Sequence, residues 1–364
     1  MILCANPTAQ FKSYQDEIEK AVLTVIRGNR YVLGEEVLLL EKEFADYIGT
    51  TAAIGVANGT DAIELALRAL EIGPGDEVIT VSHTAVATVA AIEAAGATPV
   101  LVDVEPQFYT LNPLQLGEVF TPKTKAIIAV HLYGQAVDLD AIKAFCHKYK
   151  IFLIEDASQA HGAKYKRQHL GSIGDIGCFS CYPTKNLGAI GDAGLITTNN
   201  TELATKIRML REYGWNERIS VYPGRNSRLD ELQAAVLRIK LKYLDEDNEK
   251  RRQLAEYYTD KLSDLSIQLP EVRAEAESVF HLYVLQVGDR QGLLEYLKGK
   301  DIQAGVHYPV PVHLQTAYQD RVLTANDMSI TENLTENIIS LPMYPELSVN
   351  DAKKIVDVLK KFLD

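Results

Sequence analysis

A chain of 364 residues with 47% hydrophobic and 24% charged residues has the make-up of a globular protein and is too long for one simple core. Its formal net charge of −12 argues against nucleic-acid binding, because no basic face easily outweighs that field. A local Arg or Lys cluster would still suffice for one nucleotide-linked ligand.

The chain opens on Met1, Leu3, Cys4, Ala5 and Asn6 with no basic segment and no long apolar stretch. Neither a signal peptide nor a membrane span is therefore expected. Apolar runs then alternate with helical patterns. Residues 53–56, 77–81, 99–104, 126–131, 152–155, 173–182 and 195–198 read as strands. Residues 60–70, 85–95 and 138–149 read as helices between them, the last with Asp138 or Asp140 as candidate cap. Strands separated by ten to fifteen residues of helix imply β-α-β crossovers and a mostly parallel sheet covered on both faces. Residues 234–258 form a long helical stretch whose mixed charged run, 245–252, is expected to be a solvated face. A strand at 280–287 and helices at 291–297 and 350–363 suggest a small α+β domain. The expected division is 1–245 for a large domain with an N-terminal arm and 246–364 for a small one.

Four cysteines, Cys4, Cys146, Cys178 and Cys181, show no framework spacing, which fits reduced thiols in the cytoplasm. Cys178 and Cys181 form a C-x-x-C, but it lies in a strand pattern with no second pair or histidine at ligand spacing, so no metal site is expected.

Chemistry concentrates at strand ends, where α/β proteins place it. Lys185 follows the apolar run 173–182 inside Tyr182-Pro183-Thr184-Lys185-Asn186-Leu187-Gly188. Asp156 ends another apolar run, and a buried carboxylate there calls for a cationic partner. Pyridoxal phosphate (PLP) would meet both demands. Its aldehyde takes a lysine amine, and its pyridine nitrogen, held protonated by an acid, turns the ring into an electron sink. Asn58-Gly59-Thr60-Asp61 stands where the first strand gives way to a helix, whose free N–H groups attract an anion. Ser180 is in reach of the same phosphate, and Gln159, one helical turn past Asp156, is a candidate for the ring oxygen. Two Gly-x-x-Gly-x-x-Gly runs, at 171–177 and 188–194, lack the dinucleotide spacing, so a nicotinamide enzyme is not favoured.

The stretches Glu155 to Gly162 and Cys178 to Gly188 together resemble the DegT/DnrJ/EryC1/StrS family of sugar aminotransferases. The likeness runs from Tyr31-Val32-Leu33-Gly34 to His307-Tyr308-Pro309. It implies the fold type I (aspartate aminotransferase-like) architecture, with a mostly parallel seven-stranded sheet and a small α+β domain. It also implies a homodimer with shared active sites, using PLP and its amino form, PMP. Carried over, Lys185 is the Schiff-base lysine, Asp156 the pyridine partner and Gln159 the neighbour of the ring oxygen. Gly59, Thr60 and Ser180 hold the phosphate, with Asn226 reaching it from the other subunit. Where many relatives stack an aromatic ring on the cofactor this chain has Ala85, which leaves that contact to His83, to another residue or to alanine alone.

The stretches 211–215 and 226–235 are similar to members that aminate C3 of a nucleotide-linked, dTDP-type 3-keto-6-deoxyhexose with L-glutamate, which leaves as 2-oxoglutarate. A 4-keto sugar, a UDP-linked 3-keto sugar or an aminocyclitol precursor are the alternatives, and a non-catalytic regulator that senses cofactor or sugar is the rival of another class. Arg30, Tyr31, Tyr182, Tyr213, Trp215, His307 and Tyr308 are candidate substrate contacts: aromatics and imidazoles near glycine and proline that suit a base or a sugar.

Overall fold

The computed structural model describes residues 1–363. Among them a central eight-stranded sheet carries the architecture. Its strands are β1 (Ala52–Val56), β2 (Glu77–Val81), β3 (Thr98–Val102), β4 (Thr124–Val130), β5 (Phe152–Asp156), β6 (Ile176–Ser180), β7 (Gly194–Thr198) and β9 (Leu323–Thr324). The spatial order is β1-β7-β6-β5-β4-β2-β3-β9. β2 to β6 run parallel, while β7 is antiparallel to both β1 and β6. β9 adds an eighth strand to the seven expected, a two-residue edge that pairs Leu323 with Val100. A strand of two residues carries no periodicity, so the sequence held no sign of it.

The strands are buried on both faces, as in a sheet whose crossovers are helical. The helices that cover it include α1 (Glu35–Ile48), α2 (Gly59–Ala69), α3 (Val86–Ala95), α4 (Leu139–Tyr149), α5 (Thr201–Leu210) and α6 (Glu231–Leu241). Asp138 caps α4 by accepting the Ala141 N–H at 3.1 Å. α1 lacks a side-chain cap of its own and borrows one: the Glu231 carboxylate of α6 accepts from the N–H groups of Gly34, Glu36 and Val37 at 2.8–3.0 Å.

The single helical stretch expected over 234–258 is two helices, α6 and α7 (Leu244–Leu262), with Lys242 and Tyr243 between them. The charged run at its start is not wholly solvated. Asp247, Asn248 and Arg251 are buried, and their polar ends bond Gln10, the His161 carbonyl and the Met343 carbonyl. A four-residue spacing of polar side chains looks the same from sequence whether it faces water or a buried network.

A second core gathers Ala255, Tyr258 and Leu262 of α7 with β8 (Tyr283–Gln286), α8 (Arg290–Lys298), β10 (Ile338–Leu341) and α9 (Val349–Leu363). β8 and β10 pair antiparallel. Ile2 also packs into this core. No described helix is long and apolar enough to cross a membrane.

Candidate active site

The carboxyl ends of β1, β5 and β6 surround a cavity of about 520 Å³. Each end contributes a different kind of group.

Beyond β1, Asn58 takes an extended backbone and its side chain accepts the Asp61 N–H at 2.8 Å, which starts α2. The N–H groups of Gly59 and Thr60 are first-turn donors with no intrahelical acceptor, and the helix dipole is positive there. Both residues line the cavity. Gly59 packs against β6 so closely that a Cβ would stand 2.5 Å from Ser180 Cβ, and only glycine permits that approach. Ser180 therefore faces the same helix end.

Asp156 ends β5 and is 5% exposed. Its Oδ2 accepts from the Thr88 hydroxyl at 2.8 Å and its Oδ1 from the Ser158 N–H at 3.2 Å. Thr88 is in turn 3.0 Å from Thr84, four residues earlier and just ahead of α3. The neighbouring carboxylate, Glu155, points to the other side of the strand. Burial alone would push it up, but the His131 ring and the N–H groups of Gly171 and Gly174 outweigh burial and hold it below the usual range. One acid of the pair is consumed by structure; the other faces the cavity.

Gln159 is held at both ends of its amide. Its oxygen accepts the Tyr133 N–H at 2.7 Å and its nitrogen donates to the Tyr308 hydroxyl at 3.1 Å. The amide keeps a second N–H.

Lys185 leaves β6 through a turn in which its own N–H bonds the Tyr182 carbonyl at 2.8 Å. Burial pulls its amine from 10.5 down to about 8, with the Asp156 carboxylate and Cys181 opposing. His161, fully buried and close by, is driven to about 3 by burial and by the Lys185 charge, and stays neutral. Asn186 anchors the turn: it donates to Asn248 at 2.8 Å and to the Val279 carbonyl at 3.1 Å.

The candidate residues divide in two. Gly59, Thr60, Asp156, Gln159, Ser180, Tyr182 and Lys185 all line the one cavity. Tyr308 touches it only through Gln159, and His307 is turned away, its Nδ1 2.9 Å from the Ser340 hydroxyl. Arg30, Tyr31 and Asn226 are exposed and do not line it. Tyr213 and Trp215 stand with ring centres 5.0 Å apart, also outside it. Ala85 lines the cavity, whereas His83 is buried behind it with its Nε2 2.7 Å from the Tyr133 hydroxyl. His83 thus offers no face to a ring in the cavity. Thr84, Thr88, His131 and Asp192 also line the wall and were not singled out from sequence. The four-residue spacing of Thr84, just ahead of α3, and Thr88 within it was the one available signal.

Among the described residues no cluster of His, Cys, Asp and Glu is set to hold a metal ion, and the four thiols are free. The donor set does fit pyridoxal phosphate: a buried amine with a lowered proton affinity, a buried acid across the cavity, and a helix end crowded so that an anion meets bare N–H groups.

Residues 12–360 match the DegT/DnrJ/EryC1/StrS aminotransferase family. The chain belongs to this family. It is 45% identical over 350 residues to a dTDP-3-amino-3,6-dideoxy-alpha-D-galactopyranose transaminase of Aneurinibacillus thermoaerophilus, covering 96% of each chain. Among solved structures it is similar to S. venezuelae DesV, with TM-score 0.97 and 40% identity over 100% of this chain and 98% of that one. NtdA from Bacillus subtilis, solved with bound cofactor PMP, is similar with TM-score 0.90 and 32% identity over 96% of this chain and 82% of that one. These family members share the fold type I architecture, so the large, mostly parallel sheet expected from the sequence is the aminotransferase sheet.

Proposed function

We propose that this aminotransferase moves the amino group of L-glutamate to C3 of a nucleotide-linked 3-keto-6-deoxyhexose, dTDP-linked, with PLP and PMP as the two forms of its cofactor. The observation that carries the reading is the meeting of Lys185, Asp156 and the α2 N-terminus in one cavity of a chain so similar to a named dTDP-amino-sugar transaminase.

The cofactor would supply an electron sink when bound. The chain's residues supply the rest. Asp156, its orientation fixed by Thr88 and Ser158, holds a proton on the pyridine nitrogen. Gly59, Thr60 and Ser180 grip the phosphate, and the spare N–H of Gln159 is directed to the ring oxygen. Lys185 Nζ takes the proton from the amino-bearing carbon of the donor and later delivers one to the new amino-bearing carbon of the sugar. That task needs a neutral amine. At pH 7.5 about one Lys185 in four is neutral, against about one ordinary lysine in a thousand. The lowering comes from burial, so it precedes any charge the cofactor brings.

The same proposal makes the protein a cytoplasmic homodimer in which Asn226 serves the partner's phosphate. The exposure of Asn226, with Tyr31, Val32, Ile219 and Val221 also open to solvent, supports a covering subunit. Tyr182 at the cavity mouth, with Arg30, Tyr31, Tyr213, Trp215, His307 and Tyr308, forms the proposed substrate set. The proposed division at residue 245 is supported by Leu244 packing in the first core and Ala255 in the second.

The test is a panel of nucleotide-linked ketosugars with L-glutamate, read by product mass. The dTDP-linked 3-keto sugar should be aminated faster than its 4-keto isomer; the reverse preference overturns the regiochemistry.

A further inference from the structure

One acid sits where the phosphate is proposed to bind, and a second follows one turn on, behind the cavity wall. Asp61 stands in the first turn of α2, two residues from Gly59, and lines the same cavity; its side chain is 6% exposed. A carboxylate there suits the helix dipole. It also competes with any ligand anion for the same helix end. Glu64, one turn on, is 3% exposed.

We propose that Arg225 is the positioning residue of this anion cradle: by neutralising Asp61 it frees the α2 N-terminus to accept a phosphate. The proposal rests on the cofactor reading above. The guanidinium lies 2.5 Å from Asp61 Oδ1, and its other terminal nitrogen pairs with Glu64. Glu64 has a second cation in Arg68 at 2.8 Å, whereas Arg225 is the one cation paired with Asp61 among the described residues. A pair between two exposed side chains would carry little weight. Here the acids are buried and only the arginine is open, at 43%, so its loss strands a buried charge. The planar fork spans both carboxylates at once, which a lysine cannot do.

The backbone holds Arg225 for this task. Its N–H bonds the Leu210 carbonyl at 3.0 Å and its carbonyl accepts from Tyr213 at 3.1 Å. Gly224 makes the turn possible, because a Cβ there would stand 2.2 Å from the Gly214 nitrogen. Two residues on, the Ser227 hydroxyl accepts the Ala57 N–H at 3.3 Å, immediately before the Asn58 cap. The segment is thus tied to the start of α2 on both sides of Asn226, so the ion pair also steadies the residue proposed to serve the partner's phosphate.

The experiment titrates PLP and pyridoxal, which lacks the phosphate, into cofactor-free protein and follows visible absorbance. Arg225→Met should weaken PLP binding roughly ten-fold and leave pyridoxal unchanged. Asp61→Asn alone should bind PLP at least as tightly as the parent protein, and Arg225→Met with Asp61→Asn should recover most of the loss. Equal weakening of both ligands, no weakening of PLP, no rescue in the double variant, or weaker PLP binding by Asp61→Asn would each overturn the proposal. The parent protein decides the reading beneath it separately: absence of any preference for PLP over pyridoxal would remove the phosphate cradle itself.

Discussion

Lys185→Met in the cofactor-free protein should make the fold more stable, although the residue is proposed to be essential for turnover. The amine titrates near 8 when folded against 10.5 when free. A gap of that size costs the folded state about 3 kcal/mol wherever the unfolded lysine is charged. The residue is partly open to the cavity, and screening there trims the figure to about 2 kcal/mol. A base whose folded value is depressed carries its full penalty below pH 8, and sheds it as pH climbs toward 10.5. Methionine keeps the stem and removes the charge. Urea unfolding of both proteins at one fixed concentration should therefore favour Lys185→Met by about 2 kcal/mol at pH 7, and by well under 1 kcal/mol at pH 10.5. No gain at pH 7, or a gain that grows with pH, would refute the claim that burial sets the amine's proton affinity.

Gly59→Ala should weaken PLP binding by on the order of 1–3 kcal/mol, because its Cβ meets Ser180 at 2.5 Å and must push β6 and α2 apart; pyridoxal binding, read in parallel, should fall less. Thr88→Val removes the hydroxyl donor to Asp156 and should cost about 1–3 kcal/mol in cofactor affinity, with Thr88→Ser recovering most of it; equal affinity in Val and Ser variants would contradict the positioning role. Tyr308→Phe should slow turnover by releasing one end of the Gln159 amide, with thermal stability unchanged within about 0.5 kcal/mol. Turnover equal to the parent protein would show that Tyr133 alone orients Gln159.

The parallel part of the sheet was legible because buried strands separated by helices leave apolar runs of five residues at regular intervals. The cavity was legible for a related reason. Lys185, Asp156 and Gly59 each follow such a run, and β1, β5 and β6 run in the same direction, so their carboxyl ends meet at one edge of the sheet. What stayed hidden depends on contacts between distant segments. Nothing local tells that Glu155 is spent on His131 and the glycine turn while Asp156 faces inward, since alternation along a strand fixes opposite sides but not which side is the cavity. The same limit applied to α7, where Asp247 and Arg251 read as surface charges and are buried in bonds to distant segments, Gln10 and the Met343 carbonyl. Arg225 was passed over because its partners lie 161 and 164 residues earlier in the chain.

The account turns on which amine the cofactor joins. Protein incubated with PLP, reduced with borohydride and digested should carry the pyridoxyl mass on the peptide containing Lys185. Lys185→Ala should carry none and lose turnover by roughly 10²-fold or more. A reduced adduct on another lysine, or full turnover by Lys185→Ala, would contradict it.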